Sequence, residues 1–152
     1  MKWMLFSPEL FYSLAAFWFL LQSMLARPNP RRTHRSALAL AALGVAVGLA
    51  VVKAEGWLFY SGYRVDLFSQ VFKVLLALGL FLIVCICGKL SGIKERNHDD
   101  FYFLLLVCTL ALMMLVSGDH LLIIYLALEL SSYSLYILVA LRTDQDAGLE
   151  AG

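Results

Sequence analysis

The chain has 152 residues, 62% of them hydrophobic, and a formal net charge of +1. Soluble domains average roughly half apolar, so this composition points to an integral membrane protein with the lipid bilayer as its first partner. So small a net charge leaves no basic face for phosphates and argues against a nucleic-acid partner.

Ser7-Pro8-Glu9 reads as a helix start. Ser can cap, Pro fits the first helical position, and Glu complements the positive helix end. The first span is then 10–26. A cleaved signal peptide competes with this reading, but it needs a basic start and a small-residue cleavage site, and here the strong charge follows the apolar run. Arg27, Arg31, Arg32 and Arg35, with Pro28, Pro30 and His34, read as a basic loop. The second span, 37–52, is Ala-rich and carries Gly44 and Gly48 at the spacing that lets helix backbones approach closely in lipid. Lys53 to Asp66 reads as a loop whose Trp57, Phe59, Tyr60 and Tyr63 suit the membrane–water interface. The third span is 67–90, followed by a mixed-charge loop around Lys94-Glu95-Arg96 and His98-Asp99-Asp100. The fourth span is 101–116. Ser117-Gly118-Asp119 is a tight turn, so the fourth and fifth spans form an antiparallel hairpin, with Asp119 expected to cap the fifth, 120–141.

The expected fold is therefore all-α: one polytopic membrane domain, 1–152, of five transmembrane helices. Orientation follows from the basic residues. Arg27, Arg31, Arg32, Arg35, Lys89, Lys94, Arg96 and Arg142 fall on one side, against Lys2, Lys53 and Arg64 on the other. The positive-inside rule then puts the N-terminus outside and the C-terminal tail in the cytoplasm. Cys85, Cys87 and Cys108 all lie in apolar runs without flanking His or acid, and read as small core hydrophobes. No disulfide framework, haem, iron–sulfur or nucleotide-loop motif is present, so no cofactor is expected on this chain.

Of 12 basic and 11 acidic residues, only Lys73 and Glu129 fall well inside spans. Charges at that depth are costly and usually face protein or water. Lys73 lies ~10 Å from the outer end of its helix. It either snorkels to the interface or serves as a charge partner for Glu129. Glu129 sits ~15 Å from Asp119, close to the middle of a ~30 Å hydrocarbon core. Tyr125, Ser132, Tyr133 and Tyr136 share its helix face. Four hydroxyls can hydrogen-bond a carboxyl or hold water beside it. Such a group serves either as an inter-helix hydrogen bond or as a proton carrier. His120, at the helix end, is a solvated terminal residue or a relay.

The run from Phe101-Tyr102 through Thr109, Met113-Met114, Asp119, Tyr125, Glu129, Ser132 and Tyr136 to Ala140 resembles the proton-pumping membrane subunits of respiratory complex I, most closely subunit N of bacterial NADH–quinone oxidoreductase. Ser7-Pro8-Glu9 looks like that family's start, and Val65-Asp66 to Phe72-Lys73 like its third-helix entry; His120 departs from the usual Leu. The resemblance implies that Glu129 corresponds to the family's essential fifth-helix glutamate, whose lysine partner is on a seventh helix. It implies two inverted five-helix repeats with broken helices, so this chain is truncated relative to the family. It implies other complex I membrane subunits as partners. FMN, iron–sulfur clusters and quinone lie on partner subunits, and the location is the bacterial inner membrane, multi-pass. The implied function is proton translocation coupled to electron transfer; a multisubunit cation/proton antiporter or a membrane-bound hydrogenase shares the fold and is the alternative.

Overall fold

The computed structural model describes residues 5–25, 29–58, 62–88, 93 and 97–141. Five helices follow in order: α1 (Ser7–Leu25), α2 (Pro30–Val51), α3 (Leu67–Ile86), α4 (His98–Ser117) and α5 (Leu121–Ala140), with β1 (Gly56–Leu58) and β2 (Tyr63–Val65) between α2 and α3. α2 to α5 are each long and apolar enough to cross a membrane. α1 is 19 residues long and is diluted by Pro8, Glu9 and Gln22. The chain is a multi-pass membrane helix bundle.

α4 is the hub. It packs most extensively against α5 and α1, and also against α3, while α2 lies along α3. Its buried side chains, among them Phe101, Tyr102, Leu105, Leu106, Ala111 and Met113, point in several directions around the helix axis, as a helix surrounded by neighbours requires. Phe101, Tyr102, Leu105, Leu106 and Met113 meet Tyr12, Ala16 and Phe19 of α1, Ala41 of α2, and Ala77, Leu80 and Val84 of α3 in one core. The two glycines of α2 do the packing their spacing implies. A Cβ at Gly44 would overlap the Tyr12 hydroxyl of α1, and one at Gly48 would lie 3.2 Å from the Val74 side chain of α3.

Several boundaries differ from the sequence expectation. Arg31, Arg32 and Arg35 are helical, not loop: α2 begins at Pro30, and the Asn29 side chain caps it by accepting from the Arg32 N–H at 3.4 Å. Pro at the first helical position costs no hydrogen bond, which is why the helix can start there. That end of the bundle is tied by polar contacts that lipid cannot replace. Thr33 Oγ1 donates to Asp99 Oδ1 at 2.7 Å, Ser23 Oγ to Asp100 Oδ1 at 2.5 Å, and His34 Nδ1 lies 2.9 Å from the Tyr102 hydroxyl. Arg27, Pro28, Lys89, Lys94 to Arg96 and the tail from Arg142 lie outside the described residues, as do Phe59 and Tyr60.

The segment between α2 and α3 holds an antiparallel hairpin, with Gly56 opposite Val65 and Leu58 opposite Tyr63. It folds over one end of the bundle, with Leu5, Tyr63 and Val65 buried together. Arg64 and Trp57 face outward, the guanidinium 5.4 Å from the ring centroid. Asp66 caps α3 through a capping box: its Oδ1 accepts from Ser69 N–H at 2.8 Å, and the Ser69 hydroxyl accepts from Asp66 N–H at 3.0 Å. The cap of α5 is His120, whose Nδ1 accepts from Leu122 N–H at 3.3 Å, and not Asp119. The N–H groups of Asp119 and His120 donate instead to the Gly62 carbonyl, at 3.0 and 3.3 Å, which ties the α4–α5 turn to the hairpin.

Candidate functional site

Two groups of ionisable side chains stand apart, one on α5 and one between α1, α3 and the hairpin. The first is on α5. That helix turns Ala127, Ser131 and Ser134 toward its neighbours. The two serine hydroxyls donate to carbonyls of their own helix, Ser131 to Leu128 at 2.9 Å and Ser134 to Leu130 at 2.7 Å, so they demand nothing of α4. Glu129 stands two residues from both Ala127 and Ser131. At 100° per residue that puts it about 200° around the helix, on the side away from the bundle. It is half-buried among its own helix neighbours. The Tyr133 hydroxyl interacts with its carboxylate, and Tyr125 and Tyr136 are near enough to act on Tyr133 electrostatically. Ser132 is half-buried one turn along. Tyr125, Tyr133 and Tyr136 are 56%, 59% and 57% exposed, so this face has no covering element among the described residues.

Tyr125, Tyr133 and Tyr136 lie along the Glu129 side of α5, and Lys73 is not among them. Lys73 neither snorkels nor approaches Glu129. It is fully buried on α3, and its Nζ lies 2.5 Å from Oε1 of Glu9 on α1, which is also fully buried. Among the described residues the ion pairs are this one and an exposed contact between Arg64 and Asp66 at 3.4 Å. Tyr63 completes the second group: its hydroxyl donates to the same Glu9 Oε1 at 2.5 Å, and its ring centroid lies 5.2 Å from the ammonium. Burial above all, then the negative charge of Glu9 and the hydrogen bond to it, push the Tyr63 hydroxyl far above the ordinary tyrosine range, against a smaller opposing effect of Ser117. The phenol therefore remains a donor across the accessible pH range.

Glu9 is the partner of Lys73 that the sequence reading does not give. Three residues into a helix after Ser-Pro, an acid reads as a complement to the helix dipole. The signal that could have found it is periodic: Glu9, Tyr12, Ala16 and Phe19 recur at i, i+3, i+7 and i+10, and all are buried. Gln70, Lys73, Ala77, Leu80 and Val84 form the matching stripe on α3. Each charge lies on its helix's inward face, and the inward faces of α1 and α3 meet.

Comparison with known proteins agrees with this architecture. No family model matches the chain. It is 62% identical over 152 residues to NADH-quinone oxidoreductase subunit N 2 of Syntrophobacter fumaroxidans, covering 100% of this chain and 32% of that protein. It is 33% identical over 141 residues to the protein of the same name from Opitutus terrae, covering 93% of this chain and 29% of that one. Among solved structures it superposes on a chain of respiratory complex I from Thermus thermophilus, determined with bound aureothin. The TM-score is 0.75 at 28% identity, over 95% of this chain and 32% of that one. The chain spans about a third of the length of the curated relatives it matches. The chain thus matches the N-terminal third of NADH-quinone oxidoreductase subunit N.

Proposed function

We propose that the chain contributes to proton translocation by a membrane-bound NADH–quinone oxidoreductase, with Glu129 as the proton carrier. The observation that carries this reading is the setting of Glu129. It is the ninth residue of α5, so it lies ~12 Å from the start of a ~30 Å helix. It is half-buried, with a tyrosine hydroxyl on it and no basic partner at ion-pair distance among the described residues. A carboxyl at that depth is less costly neutral than ionised, and a cation brought to it favours ionisation. Movement of such a cation would load or expel the proton. Tyr125, Tyr133 and Ser132 hold the carboxyl or the water that delivers protons to it.

The open face of α5 supports contact with further membrane-embedded protein, because an ionisable group facing lipid is expensive. Flavin, iron–sulfur clusters and quinone belong to partner subunits, and this chain does no redox chemistry of its own. The bias of Lys and Arg supports an N-terminus outside a bacterial inner membrane.

Glu129→Gln keeps the shape and one carbonyl acceptor but cannot ionise. In the purified complex reconstituted into liposomes it should leave assembly intact and lower proton uptake, while Glu129→Asp retains part of the activity. Wild-type uptake by Glu129→Gln would make the glutamate structural and the proposal wrong.

A further inference from the structure

The Glu9–Lys73–Tyr63 group is left unused by the role given to Glu129. It is built asymmetrically. Oε1 of Glu9 takes both donors, the Tyr63 hydroxyl and the Lys73 ammonium. Oε2 of the same carboxylate is buried with no hydrogen-bond partner among the described residues. On the next turn of α3, the Gln70 amide donates through Nε2 to the Ala54 carbonyl at 3.3 Å, which leaves its Oε1 buried and unpartnered as well. The Lys73 ammonium is in ion-pair contact with Glu9, but its three N–H groups have no hydrogen-bond partner among the described residues. Native proteins satisfy such buried atoms, commonly with ordered water. A buried water needs about two to four polar partners. Glu9 Oε2, the spare Lys73 N–H groups and Gln70 Oε1 supply that number at the junction of α1, α3 and the hairpin.

We infer that Glu9, Lys73 and Tyr63 form a second proton-holding site, which binds water against Glu9 Oε2 and takes up and releases a proton at that oxygen. In the step an O–H bond of a hydronium breaks and one forms at Oε2. The site passes from a neutral ion pair to a net charge of +1 carried by Lys73, and release reverses this; no electrons move. Tyr63 is a positioning residue. Its donor occupies Oε1 together with Lys73, so Oε2 is the oxygen left to receive the proton. Among the described residues of α1 the next titratable group is Tyr12, one turn along, whose hydroxyl lies beside Gly44 of α2 and is buried with no hydrogen-bond partner. α4 contributes the Ser117 hydroxyl beside Tyr63.

The test uses the complete membrane complex and rests, in its transport measurement, on the proposed role in proton translocation. Infrared difference spectra across pH should contain a protonated-carboxyl band that shifts in Glu9→Asp, vanishes in Glu9→Gln and persists in Glu129→Gln. The double variant Glu9→Gln/Lys73→Met removes both charges together, so it should assemble, and it should lose proton uptake in liposomes. Wild-type uptake by the assembled double variant, or a carboxyl band indifferent to Glu9→Asp, overturns the inference and makes the pair a structural tie. Glu129→Gln run in parallel separates the two ideas. If that variant pumps normally while the Glu9 band behaves as stated, the role of Glu129 falls and this site stands.

Discussion

Removing Lys73 alone should be among the most destabilising single changes in the chain. The ammonium lies 2.5 Å from the Glu9 carboxylate, and both side chains are 0% exposed, so solvent screening does not weaken the pair. At an effective dielectric constant of about 20 their attraction is about 7 kcal/mol. Desolvating two ions offsets much of this, and the intact pair adds little net stability over apolar side chains of the same size. Lys73→Met removes the attraction and leaves the desolvation of Glu9 in place. It should therefore cost about 3–5 kcal/mol, the usual penalty for an uncompensated buried charge. Glu9→Gln should be comparably costly, since it strands the ammonium under the Tyr63 ring. The double variant should recover most of either loss, because no bare charge remains. Unfolding by SDS in lipid–detergent mixtures, followed by the accessibility of the buried Cys108 thiol, gives the three free energies. A coupling below about 0.5 kcal/mol, the level at which independent sites add, would refute the idea that the two charges act as a unit.

Asp66→Ala should cost about 1 kcal/mol by removing the α3 cap. The backbone N–H of Ser69 holds the Asp66 carboxyl below its ordinary range. Its contribution is therefore present above the unfolded value of about 4 and lost as pH falls through the lower folded value, so the penalty of Asp66→Ala should shrink in acid unfolding curves. Gly44→Ala should destabilise by about 1–3 kcal/mol through overlap with the Tyr12 hydroxyl, and Tyr12→Phe in the same chain should restore part of the loss in SDS unfolding. A cysteine at Ser36, near the start of α2, should resist a membrane-impermeant thiol reagent applied from the periplasmic side; ready labelling would invert the proposed orientation.

The five helices were legible because each apolar run is long and bounded by Pro, Asp or Gly, and the Glu129 face was legible because i, i+3, i+4 and i+7 relations lie within one helix. The partner of Lys73 was not. Glu9 is 64 positions away in the sequence, and only the meeting of α1 with α3 brings them together. The hairpin escaped notice because three-residue strands are too short to display alternation, and its aromatics suit a membrane interface equally well. The helical basic run was partly readable. Asn29-Pro30 is a sound cap and first position, but four arginines in nine residues outweighed it as an apparent loop signal.

Anchoring the Asp119 and His120 amides, just ahead of α5, on the single Gly62 carbonyl has a mechanical consequence. α5 is a rod ~30 Å long with a pin at one end, and the pin sits one residue from Tyr63. A tilt of about 10° about that point would sweep the far end through about 5 Å and carry Glu129 through about 2 Å, while leaving the pin nearly still. Leverage of this kind lets a push on the distal half of α5 reposition one carboxyl by the length of a hydrogen bond without loosening the tyrosine that grips the other.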